Sequence, residues 1–256
     1  MGFTKTFNHC SGLVHAATPR KRGQNSGRHL RAASSGWGSA GEHPSGPSGA
    51  FVATVKKSAY AAEQDRPDVV EEREDWFDGQ PDLDPAKLVF VDESFATTNM
   101  ARRYGRAPRG VRLRAPIPYG NRKKTTLVAG LRLSGVTATR MLDGSINGER
   151  FLAYVTDVLV PTLAPGDLVV IDHLSSHKSH PVREAIEAAG ARLPFLPRYS
   201  PDFNPIEKAF AKLKALLRKA AERTVSGLHQ AILRILAAFT ASECANYFAS
   251  AGYDLI

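Results

Sequence analysis

Two short apolar runs, each closed by an aspartate, constrain this chain more than anything else in it. Leu88-Val89-Phe90-Val91 ends at Asp92, and Leu168-Val169-Val170-Ile171 ends at Asp172. Unbroken runs of β-rich apolar residues are the mark of strands buried on both faces, and such strands belong to parallel sheets. If the two are neighbours, their carboxyl ends stand about 4.8 Å apart. Two aspartates at matching ends then repel one another unless a cation lies between them. Magnesium suits that place, because it takes hard oxygen ligands and binds through one or two carboxylates together with phosphate and water.

A third acid follows. Asn204-Pro205-Ile206-Glu207 has the form of a capping box, with Asn at the cap, Pro at the first helical position and Glu at the third. Helix capping alone would account for Glu207, as a turn position alone would account for either aspartate. The company they keep argues for more. Ile206, Phe210, Leu213 and Leu217 recur at helical spacing, so Glu207 sits in the first turn of an amphipathic helix that packs on a core and can offer a third ligand.

The remaining elements predict an α/β fold: a mixed five-stranded sheet with helices on both faces. After the first strand come strands at 125–133 and 136–142, joined at Ser134-Gly135 as a hairpin, then a helix over 147–163. The strand at 168–171, a helix over 181–189, a fifth strand at 192–196, the Glu207 helix and a packing helix over 228–239 complete the order.

Charge is distributed unevenly. The chain of 256 residues carries a net charge of +9, which suits a polyanionic partner. Residues 58–85 hold ten acidic side chains against Arg66 and Arg73, whereas residues 86–124 hold ten basic ones against Asp92 and Glu93. A loop that basic, following the first aspartate, is suited to gripping a phosphate backbone through Arg102, Arg103, Arg106, Arg109, Arg112, Lys123 and Lys124. Gly105 and Gly110 lie in it, but the Gly-Lys-Ser/Thr ending of a nucleotide-binding loop is missing. His173, His177 and His180 have a spacing that zinc could use on a helix, yet Ser175, Ser176 and Pro181 make the segment read as a loop. Ser176 with His177 as its base is weaker still, since adjacent residues seldom adopt the triad geometry. Cys10 and Cys244 are too few for a disulfide framework, which fits a reducing compartment. No apolar run is long enough to span a bilayer.

Four blocks carry a family resemblance: Val89-Phe90-Val91-Asp92-Glu93-Ser94; Tyr104-Gly105-Arg106-Ala107-Pro108-Arg109-Gly110; Asp172-His173-Leu174-Ser175-Ser176-His177-Lys178; and Leu196-Pro197-Arg198-Tyr199-Ser200-Pro201-Asp202-Phe203-Asn204-Pro205-Ile206-Glu207. Together they resemble the catalytic domain of the bacterial insertion sequence 630 transposases, relatives of the mariner elements. The resemblance implies a ribonuclease H-like fold and a triad of Asp92, Asp172 and Glu207 holding two Mg²⁺ ions, for which Mn²⁺ can substitute. It further implies cleavage of DNA at the terminal inverted repeats, transfer to target DNA, a homodimer in the synaptic complex, and a cytoplasmic, nucleoid-associated protein. His177 and Lys178 become phosphate contacts on this reading. His173 stands where the family usually has Asn.

The organisation expected is a basic low-complexity tail over 1–55, an acidic helical linker over 56–85, the catalytic domain over 86–222 and a helical extension over 223–256. The tail is rich in Gly, Ser, Pro and Arg and lacks the helix-turn-helix modules that the family carries, so it reads as disordered or as the product of a displaced reading frame. Two other functions stay open on the sequence. One is a structure-specific nuclease that cuts without joining, and the other is a non-catalytic DNA-binding remnant of a decayed element.

Overall fold

The computed structural model of the protein describes residues 61–102, 105–119, 122–173 and 179–253. The expectations for the tail over 1–55 and for Arg103, Ser176, His177 and Lys178 lie outside the described residues. Among those described, the helices are α1 (Pro67–Gly79), α2 (Gly148–Tyr154), α3 (His180–Ala188), α4 (Pro205–Ala220), α5 (Val225–Leu236) and α6 (Ala241–Ala249). The strands are β1 (Leu88–Thr97), β2 (Lys124–Arg132), β3 (Gly135–Asp143) and β4 (Leu168–Val170), in the order β3-β2-β1-β4. β1 and β3 run antiparallel to β2, and β4 runs parallel to β1.

The two apolar runs are neighbours, as their composition predicts, with Leu88, Val89 and Phe90 opposite Leu168, Val169 and Val170. Leu88, Val89, Phe90 and Val91 are all buried. Each such side chain contributes about 1.5–3 kcal/mol of burial, so both faces hold the strand in register. β1 nevertheless outruns its apolar stretch. β2 pairs with it from Phe90 through Thr97, and Asp92 therefore lies in mid-strand rather than at a strand end. A second correction concerns the fifth strand. Residues 192–196 follow β4 through two isolated parallel bridges, Leu168 with Arg192 and Ile171 with Phe195. Arg192 N donates to Asp167 O at 2.8 Å and Leu196 N to Ile171 O at 2.9 Å, but Pro194, midway between them, has no N–H to give to Val169.

Side chains alternate across the sheet. Leu88, Phe90 and Ala96 point toward α4, α5 and α6, where Ile206, Phe210, Leu213, Ile232 and Phe248 close one core. Val89, Val91, Val169 and Ile171 form the other core with Phe151, Tyr154, Val155, Val182 and Ile186. The helix expected over 147–163 changes pitch twice: after α2 the chain makes a π-helical turn over Val155–Leu159 and a 3₁₀ turn over Val160–Thr162. Thr156 Oγ1 donates to the Leu152 carbonyl at 3.1 Å, and Pro161 cannot continue an α-helical ladder. α1 buries Val69 and is anchored to the first core by Trp76, whose Nε1 donates to Tyr253 Oη at 3.0 Å. Among the described residues, no helix is long and apolar enough to cross a membrane.

Candidate active site

The parallel register builds the site. Phe90 pairs with Val170, and two residues further along each chain stand Asp92 and Asp172. α4 brings the third acid. Its buried Ile206 and Phe210 press on the β1 face, and that docking sets Glu207, in the first turn, at the same cavity. The cavity has a volume of about 450 Å³ and is lined by Asp92, Asp172 and Glu207 together with His173, Arg198, Ser200 and Asn204. Asp92 is buried, Asp172 half-buried and Glu207 exposed, so the three form a gradient from core to surface.

Asp92 is the electrostatic centre. Burial drives its carboxyl well above the ordinary aspartate value, and the Glu207 and Asp172 carboxylates push it further in the same direction. The Glu93 N–H, 2.7 Å from Oδ1, opposes this, and Asn204 Nδ2 donates to Oδ2 at 3.0 Å. Such a group is costly in an ion-free protein and is relieved by a bound cation. Among the described residues, no group of three or more His, Cys, Asp and Glu side chains is placed to hold a metal ion by itself. An open set of carboxylates facing a cavity fits Mg²⁺, which keeps several waters and takes the rest of its shell from phosphate.

Asn204 departs from its expected role. Its side chain makes no capping hydrogen bond to α4. The amide is instead 5% exposed and turned toward Asp92, and its Oδ1 has no partner among the described residues. Giving up a cap costs about 1 kcal/mol, and a buried orphan acceptor costs about 1–3 kcal/mol.

The loop before α4 is braced from α1. Arg198 reaches Asp68 and Glu72, each at 2.7 Å, while Arg73 reaches Asp202 and Ser200 Oγ, each at 2.7 Å. These guanidiniums hold the Glu72 and Asp202 carboxyls below the usual range. His173 lines the cavity and packs edge-on against Phe195, with ring centroids 5.5 Å apart. His180 opens α3 and faces Glu184 at 3.2 Å, away from any zinc-like grouping among the described residues.

Of the basic residues expected to hold phosphate, Arg102, Arg106, Arg109, Arg112, Lys123 and Lys124 are exposed. Arg102 lines a groove of about 620 Å³ with Arg122, Lys214 and Arg218. Lys124 and Lys214 also lie over the Phe95 ring, at 4.9 and 5.4 Å. Sequence reasoning misses Lys214 and Arg218. Their signal is nevertheless present: they are four residues apart on α4, whose charged residues after Glu207 are all basic.

Taken together, the sheet order, the helical layers and the aspartates in register define a ribonuclease H-like domain with an acidic cleft. Residues 87–228, more than half of the sequence, match the family described as DDE superfamily endonuclease, and the chain belongs to that family. Solved structures with similar folds include a pre-cleavage Mos1 transpososome, at 17% identity and a TM-score of 0.60, covering 78% of this chain and 64% of that one. The catalytic domain of Mos1 mariner transposase matches at 18% identity and a TM-score of 0.54, covering 78% of this chain and 91% of that one. A Mos1 mariner paired end complex with Mn matches at 18% identity and a TM-score of 0.60, covering 78% and 63%. The chain thus spans just under two thirds of the Mos1 chain in the transpososome. No curated protein matches the sequence.

Proposed function

We propose that this chain is a DNA transposase of the insertion sequence 630 group, which cleaves a DNA strand at the end of its element and joins it to a target by metal-dependent phosphoryl transfer. The observation that carries the proposal is the convergence of Asp92, Asp172 and Glu207 on one cavity within a DDE endonuclease domain. Those three residues would hold the Mg²⁺ ions, with Mn²⁺ as a substitute. When bound, such ions supply Lewis-acid activation of the attacking hydroxyl and neutralise charge on the departing oxygen.

The protein's own residues do the rest. Asp92, fixed by Glu93 N and Asn204 Nδ2, keeps its carboxylate in place before substrate arrives. Arg102, Lys123 and Lys124, joined by Lys214 and Arg218, would hold the phosphate backbone, with Arg103, Arg106, Arg109, Arg112, His177 and Lys178 as further contacts. The ends of the element and the target DNA would be the partners, and a homodimer would bring two ends together. The Mos1 structures are described as a transpososome and as paired-end complexes, which supports that assembly here. A nuclease that cuts without joining shares the same chemistry, and the description of the matching family names cutting alone.

The test is nicking and strand transfer by the purified chain on DNA carrying matched terminal repeats, with Mg²⁺ or Mn²⁺. Metal-dependent nicking followed by joined product is expected. Nicking without joining selects the nuclease, and the absence of nicking under all metal conditions overturns both.

A further inference from the structure

The side chain at the start of α4 is built against its local interest. Asn is among the best helix caps, yet Asn204 leaves the α4 amides and crosses to Asp92 Oδ2, 3.0 Å away and 112 positions earlier in sequence. An ionised carboxylate only accepts hydrogen bonds, so the amide must present Nδ2 to it. That orientation turns Oδ1 away from Asp92, and Oδ1 is left buried without a partner among the described residues. With Asp92 ionised, as it is beside a cation, rotating the amide would set one acceptor against another. Both Asp92 oxygens already receive one donor, from Glu93 N and from Asn204, and each retains acceptor capacity. Asn204 itself lines the cavity that the three acids face.

We infer that Asn204 is a positioning residue of the cation site: its Nδ2 holds the Asp92 carboxylate in the orientation in which a divalent ion takes it. This inference rests on the metal-dependent reading above. Groups that orient metal ligands through hydrogen bonds typically govern affinity by about 10- to 100-fold. A purely structural amide would govern melting instead. The two roles therefore predict opposite results from one substitution.

The experiment uses the full chain and Mn²⁺ alone, without DNA, with binding followed by calorimetry and melting followed in EDTA. Wild type should bind Mn²⁺, and Asp92→Asn should not. Asn204→Ala removes the orphan oxygen together with the Nδ2 donor, two opposing effects of similar size, so its melting temperature in EDTA should stay close to that of wild type while Mn²⁺ binding weakens by about tenfold or more. Asn204→Asp keeps the shape but replaces the donor facing Asp92 with a further carboxylate. It should melt earlier than wild type in EDTA at neutral pH and recover in Mn²⁺, which keeps the test decisive if the alanine variant fails to fold. Mn²⁺ affinity of Asn204→Ala within about threefold of wild type, with a lower melting temperature in EDTA, would overturn the positioning role. Wild type that binds no Mn²⁺ would remove the cation site itself, a failure distinct from that of Asn204.

Discussion

Two groups of carboxylates lie on either side of the loop before α4, and the protein treats them in opposite ways. Along α1 and that loop, Asp68, Glu72 and Asp202 each meet a guanidinium, and Arg198 and Arg73 hold their carboxyls below the ordinary range. In the cleft, the charges that bear most on Asp92 are Glu207 and Asp172, and burial with like-charge repulsion holds it well above that range. The first group is satisfied by the chain's own cations and serves the fold. In the second, Asp92 is left in tension, and tension of that kind marks functional sites.

The sharpest way to break the contrast is Asp92→Asn. Strand cleavage should fall by about 10³-fold or more, measured by nicking of supercoiled plasmid in Mn²⁺, while DNA binding persists. Wild-type cleavage by this variant would end the assignment. The same variant tests the tension directly through pH. A carboxyl whose folded pKa is raised contributes stability below its unfolded pKa and loses it as pH rises through the folded value. In EDTA at pH 7, Asp92→Asn should therefore melt above wild type, and the gap should close as pH falls toward the ordinary aspartate range.

The α1 group has the opposite sign. Its depressed carboxyls contribute stability above their unfolded pKa values, and that contribution is lost as pH falls through the lower folded values. Glu72→Gln should consequently lower the melting temperature at pH 7 and make less difference at pH 3.

A smaller effect concerns the groove. Lys214→Ala with Arg218→Ala should reduce the salt dependence of DNA binding, with the log–log slope shrinking by about 0.9 for each phosphate no longer neutralised. An unchanged slope would remove α4 from the DNA surface. The smallest effect belongs to Arg73→Ala, which loses the Asp202 pair and the stacking on Phe203 at 4.8 Å. It should cost about 1 kcal/mol in chemical denaturation and leave Mn²⁺ binding at Asp92 in place. Loss of Mn²⁺ binding there would show that the two groups are not independent.

The adjacency of Asp92 and Asp172 is legible because burial on both faces forces an unbroken apolar run, and the run itself ends at each acid. The length of β1 is not, because Asp92, Glu93 and Ser94 look like a strand end while β2 still pairs with them. The fifth strand fails at one atom, the missing N–H of Pro194. Asn204 misleads for a different reason. Capping is a local pattern, and its diversion depends on Asp92, which no window around α4 contains. The bracing of the loop by Arg198 and Arg73 is hidden likewise, since the partners on α1 lie far back in the sequence. The acidic stretch reads as a helical linker with Val69, Val70, Trp76 and Phe77 for packing, and of these Val69 is buried and Trp76 partly buried against the core, while Val70 and Phe77 are exposed.

The pairing of Phe90 with Val170 also limits how such a chain can change its length. One residue inserted within either strand turns every side chain after it to the opposite face, so Asp92 or Asp172 would point into the α2 and α3 layer. The described residues between Thr98 and Lys123 carry no such strand register, and lengthening a connection between strands costs only slowly rising entropy. Insertions and deletions should therefore collect between Thr98 and Lys123 and be absent from Leu88–Asp92 and Leu168–Asp172, whatever substitutions those strands accept.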